Sequence, residues 1–242
     1  PLAAINLSVS NPNEYARIVS SAHVDIMGFG GAFLMLVGLK FFFDSDKEHD
    51  WIAAIEAPLK KFGNLEAVEL FVVIGLAYAV SLQLPTAEGH GFLISALFGT
   101  FTFFAVEWLG NFLEASDEAV EGAQRSGLAA FLYLEVLDAS FSFDGVIGAF
   151  ALSTNLIIIA LGLGIGAMFV RSMTVALVKQ GTLSQFLYLE HGAFWAILAL
   201  AGIMFASTLV HIPEAVTGLV GAILIGLSLL SSVRHNRRAP AD

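Results

Sequence analysis

The chain has 242 residues, 57% hydrophobic and only 13% charged, with a mean hydropathy of +0.80. A soluble domain carries about 25% charged residues, so that class is excluded. Net charge is −10, no basic patch suits nucleic acid, and the absence of cysteine removes disulfide and thiolate chemistry. Carboxylate, imidazole, hydroxyl and carbonyl remain as ligands, a hard set that leans toward calcium, magnesium or manganese.

The expected fold is all-α: a polytopic helical membrane protein, one transmembrane domain over 1–242. About seven spans are expected, roughly at 12–43, 65–84, 91–112, 128–154, 156–178, 183–209 and 213–233, with a surface segment at 44–64. The chain starts at Pro1 without a charged signal-peptide region, so it reads as a fragment or processed product. Ser10 or Asn11 can cap the first helix, with Pro12 at its first position. Near one end of its membrane part stand His23 and Asp25, and Gly28, Gly30 and Gly31 permit a close neighbour. His23 alone reads as a capping or core histidine; beside Asp25, a place on an ion pathway is the alternative.

Residues 44–64 are polar with an amphipathic middle and are expected at the surface, where His49, Asp46 and Asp50 form a solvated charge run or a weak metal site. Pro85 ends the second helix. In the third, Glu107 beside Trp108 and Asn111 either snorkels to the interface or serves ion entry. An acidic connection follows.

The fourth helix carries the chemistry. From Leu128 to Thr154 an apolar run of 27 residues, about 40 Å of helix, holds Glu135, Asp138 and Asp144. Its midpoint is Phe141, so the two aspartates flank the bilayer midplane. Three such acids cost roughly 7–10 kcal/mol on an insertion scale, against roughly 4–7 gained from twelve large apolar residues, so something must compensate them. Glu135, Asp138 and Ser142 share one helix face, whereas Asp144 lies about 120° around the axis from Asp138. If the backbone opens over Ala139 to Gly145, both aspartates, Ser140, Ser142 and freed carbonyls can converge as a hard-oxygen site for a divalent cation. The bland alternative makes these acids protonated packing elements.

The fifth helix contains Gly162, Gly164 and Gly166, a small-residue packing face, and Arg171, which can snorkel or neutralise a carboxylate of the fourth. Glu190 and His191 open the sixth; Pro213 and Glu214 open the seventh, which ends in arginines. If that C-terminus is cytoplasmic, ten of the eleven Lys and Arg fall on its side, leaving Arg17 outside. The first and sixth helices then cross in opposite directions, and His23 aligns with His191 when their sequences are superposed. Such an echo is the mark of an inverted repeat, the transporter architecture with a midplane site on broken helices.

At YLEVLDASFSFDG, GAMFVRSMTVALV, YLEHGAFWAI and HVDIMGFGGAFLMLVGLKFFFD the chain resembles the TerC-type integral membrane proteins of bacteria, most of all their branch catalogued as a domain of unknown function. The resemblance implies tellurium resistance and export or handling of manganese, with calcium as the other candidate ion, in the bacterial cytoplasmic (inner) membrane. It maps the family's acidic motif onto Glu135, Asp138 and Asp144. It also implies a first copy of that motif on N-terminal helices, which this chain lacks.

The reading is therefore a divalent-cation transporter, moving Mn²⁺ or Ca²⁺ through Asp138, Asp144, Glu135 and Ser142. Asp25, His23, Glu107, Arg171, Glu190 and His191 are candidates for a supporting shell or pathway. The alternative is a non-transporting subunit of a larger membrane assembly. An enzyme is not expected, since no HExxH motif or spaced Ser/His pair occurs. The expected partners are the lipid bilayer, the metal ion and, for the alternative, other subunits; no organic cofactor is expected.

Overall fold

The computed structural model describes residues 7, 10–45, 47, 49–63, 67–117, 156–179 and 186–238. Among them are eight helices and no strand: α1 (Pro12–Ser21), α2 (His23–Phe43), α3 (Ala53–Lys60), α4 (Val68–Ser81), α5 (Thr86–Asp117), α6 (Leu156–Lys179), α7 (Leu189–Ser207) and α8 (Glu214–Arg238). Five carry stretches long and apolar enough to cross a bilayer: His23–Phe43, Thr86–Trp108, Ile157–Ala176, Leu189–Ser207 and Ala215–Arg237. The molecule is a polytopic helical membrane protein. The expected span at 128–154 lies outside the described residues.

The bundle is built around α2. From Met27 to Gly38 every residue except Phe29 is buried, and its charges stand only near its ends, at Asp25 and Lys40. A helix that is apolar all round belongs in the middle of its neighbours. α5 runs parallel to it: Gly28 lies against the Phe92 backbone, the Phe33 and Phe103 rings meet edge to face at 5.9 Å, and Lys40 pairs with Glu107. α7 runs antiparallel: Gly31 faces Phe205, Gly38 faces Leu198, and Phe41 stacks on Phe194 at 3.9 Å. α8 returns against α7, with Gly192 beside Ser228 and the Tyr188 N–H donating to Ser232 Oγ at 2.9 Å.

Local chemistry sets the helix limits. Asn11 caps α1 as expected, accepting the Glu14 N–H at 3.3 Å. The first helix is not continuous from 12 to 43: Ala22, at φ −87° and ψ 2°, separates α1 from α2. α4 has 14 residues, about 21 Å, inside the 65–84 expected. Ala67, in the left-handed region at φ 59°, precedes it. At its other end a tight turn closed by the Gln83 N–H on Val80 O leads to Pro85, which keeps Leu84 out of the helical region. Outward-facing aromatics on α4, α5 and α6, such as Phe71, Phe101 and Phe169, are about 70% exposed, as suits lipid contact. On α6, nothing among the described residues lies within 4 Å of a Cβ at Gly162, Gly164 or Gly166.

Candidate functional site

The helix directions divide the functional residues between two ends of the bundle. One end collects the C-terminus of α2, Glu107 of α5, the start of α7 and the end of α8; Lys40, Lys47, Lys60, Lys61, Arg234 and Arg237 stand there. Arg17, on α1 before α2 begins, is at the other. His23 and Asp25 are on that opposite side. His23 Nδ1 is buried without a hydrogen-bond partner, and Asp25 Oδ1 occupies the space that a Cβ on Gly91 would need. Glu107, Glu190 and His191 are at the basic end: Glu107 pairs with Lys40, Glu190 is exposed, and His191 is buried. Arg171 is exposed on α6. His23 and Asp25 thus stand at one end of the bundle and Glu107, Glu190 and His191 at the other.

Glu135, Asp138, Ser142 and Asp144 lie outside the described residues, as do the expected partners of Arg171. Among the described residues, no three His, Asp or Glu side chains gather as a metal site.

What the sequence reading missed is Glu56. In AAIEAPLK it looks like the polar face of a surface helix, yet it is fully buried. Its carboxylate reaches back over the start of α3, accepting the Ile52 N–H at 3.1 Å and the Trp51 N–H at 3.2 Å and so satisfying two backbone donors ahead of the helix. Lys47 Nζ donates to it at 2.8 Å and Trp195 Nε1–H, from α7, at 3.0 Å. His191 Nε2 is 3.5 Å away and donates to His49 O at 2.7 Å. Lys47 also sits 5.0 Å from the Phe41 and Phe42 ring centres. Asp50 is ion-paired to Lys60 at 3.0 Å and to Lys47 at 3.5 Å, so it belongs to a structured network and not to a solvated charge run.

These contacts set the charges. Burial pushes the Glu56 carboxyl up, but hydrogen bonds from Lys47, Trp195 and the Ile52 N–H outweigh it and hold it below the ordinary glutamate value. Asp50 is likewise pushed up by burial and brought below its ordinary value by Lys60 and Lys47. The network is a buried ion cluster in which each carboxylate has a lysine partner, while Asp50 Oδ1 and His191 Nδ1 make no hydrogen bond. A clue was present in the sequence, since Glu56 is the one acid in an otherwise apolar helical turn, but its α7 partners are more than a hundred residues away.

The fold and these charged ends define a multi-pass helical membrane protein with a structured polar cap at one end. The chain belongs to the family described as Protein of unknown function (DUF475), whose model matches residues 1–239. No significant match to the chain was found among curated proteins or among solved structures.

Proposed function

We propose that the protein carries divalent cations, Mn²⁺ or Ca²⁺, across the bacterial cytoplasmic membrane, with Asp138, Asp144 and Glu135 as the carboxylate ligands and Ser142 assisting. The observation that carries this reading is the sequence of the fourth expected helix: three acids inside 27 residues that must otherwise cross lipid. The membrane fold supports it, as do the opposed directions of α2 and α7, the helices whose sequences echo one another. The resemblance to TerC-type proteins supplies manganese as the leading substrate. The lysines and arginines gathered at one end make that end, with the C-terminus, cytoplasmic.

Two carboxylates near the midplane repel each other and are desolvated, so with no cation bound at least one takes up a proton, which the cation displaces. Calorimetry with Mn²⁺ and Ca²⁺ in two buffers of different ionisation enthalpy should show binding with proton release. Asp144→Asn, which keeps size and removes charge, should abolish it. Equal affinity in parent and variant refutes the site; no binding by the parent favours the accessory-subunit reading.

A further inference from the structure

The segment formed by Lys47 and residues 49–60 spans two helices that approach one another from opposite directions. On one side Lys47 lies over Phe41 and Phe42 at the end of α2. On the other, Glu56 holds Trp195, and His49 O holds His191, both near the start of α7. Besides the His191 bond to His49 O, α3 itself is attached through one carboxylate: Glu56 is its buried residue, while Ala53, Ala54, Ile55, Ala57 and Pro58 are exposed. Lys60 closes the segment on itself by donating to Lys47 O at 2.7 Å. A piece held by apolar packing would resist detachment over its whole area, whereas one held by a desolvated ion cluster depends on each member, because loss of one partner leaves a buried charge uncompensated.

We infer that this segment is a strap, locked by Glu56, which clamps the adjoining ends of α2 and α7, and that its release opens this end of the bundle for cation passage. The passage half rests on the transport reading above; the strap itself does not. While the Glu56 carboxylate is charged and in place, the two helix ends are tied through Lys47 on one side and Trp195 on the other. Any rocking of α2 against α7 that parts them here must first break that tie.

Limited trypsin digestion of the purified protein tests the strap, because the peptide bonds after Lys60 and Lys61 lie at its end and the bond after exposed Arg17 lies at the other end of the bundle. In Glu56→Gln, and in Lys47→Met, cutting after Lys60 and Lys61 should speed up tenfold or more while cutting after Arg17 stays within twofold of the parent. Equal strap cutting in parent and both variants, or a parallel rise at Arg17, overturns the strap. Mn²⁺ flux into proteoliposomes tests the gate: Glu56→Gln should change it at least threefold, and selective strap cutting with unchanged flux overturns the gate. A parent without flux contradicts the transport reading, while the tryptic rates still decide the strap.

Discussion

The contact between α2 and α5 allows one substitution to be predicted with opposite signs at two places. A methyl group on Gly28 would stand 2.6 Å from the Phe92 carbonyl oxygen and 3.0 Å from its ring. To restore an ordinary contact of about 3.4 Å the helices must part by about 0.8 Å, a gap that forfeits a quarter to a half of the dispersion attraction across it. The obstacle is backbone and cannot swing aside, so overpacking costs roughly 1–3 kcal/mol, offset by roughly 0.8–1.0 kcal/mol of better helix propensity. Gly75 on α4 has nothing within 4 Å among the described residues, so there only the propensity gain applies. Gly28→Ala should lower the thermal midpoint in detergent by up to about 9 °C, and Gly75→Ala should leave it unchanged or raise it by up to about 4 °C, at about 2–4 °C per kcal/mol. Midpoints that move together by the same sign and amount would refute the close approach of α2 and α5.

Other outcomes follow from the charged cap and from topology. Because Glu56 and Asp50 are held below their ordinary values, the stability they add is complete above the ordinary carboxylate range and is lost as pH falls through the folded values. Hydrogen exchange should therefore show residues 51–60 losing protection on acidification below that range before the centre of α2 does; simultaneous loss counts against the assignment. Trp195→Phe keeps the ring contact with Phe42 but deletes the donor to Glu56, worth about 1.5–3 kcal/mol to a charged acceptor. Exchange at 51–60 should then quicken by about tenfold to a hundredfold, and an unchanged rate would show that the indole bond adds nothing. Cysteines at Lys61 and Thr86 stand at opposite ends; in intact cells an impermeant thiol reagent should reach only the one at Thr86, and the reverse pattern would invert the orientation.

Hydropathy made α2, α5, α7 and α8 legible, because lipid demands long apolar runs whatever the tertiary structure. The glycines of α2 announced a tightly packed helix, and Gly28 and Gly31 do meet close neighbours in Phe92 and Phe205, as does Gly38, which the sequence reading did not single out. The break at Ala22 was not legible, since alanine is the best helix former and marks no boundary. Nor was the burial of Glu56: an amphipathic octet lying at a membrane surface and one pinned to the bundle as part of a strap share the same pattern. Only the donors contributed by Trp195, Lys47 and the chain's own N–H groups make the difference. The carboxylates at 135, 138 and 144 stand on sequence alone, and the ligand role given to them is the proposal above.

The central position of α2 has a consequence for synthesis. Its partner Phe205 leaves the ribosome 174 residues after Gly31, an interval of about 9–35 s at 5–20 residues per second. For that time the face that ends up against α7 has no α7 to meet, and lipid or a membrane-embedded chaperone must line the glycine groove instead. Small residues serve that interval well, since a shallow groove is filled by acyl chains and emptied again without any side chain having to repack. The helix that ends deepest inside the described bundle thus enters the bilayer well before α7, and its neighbours close around it afterwards.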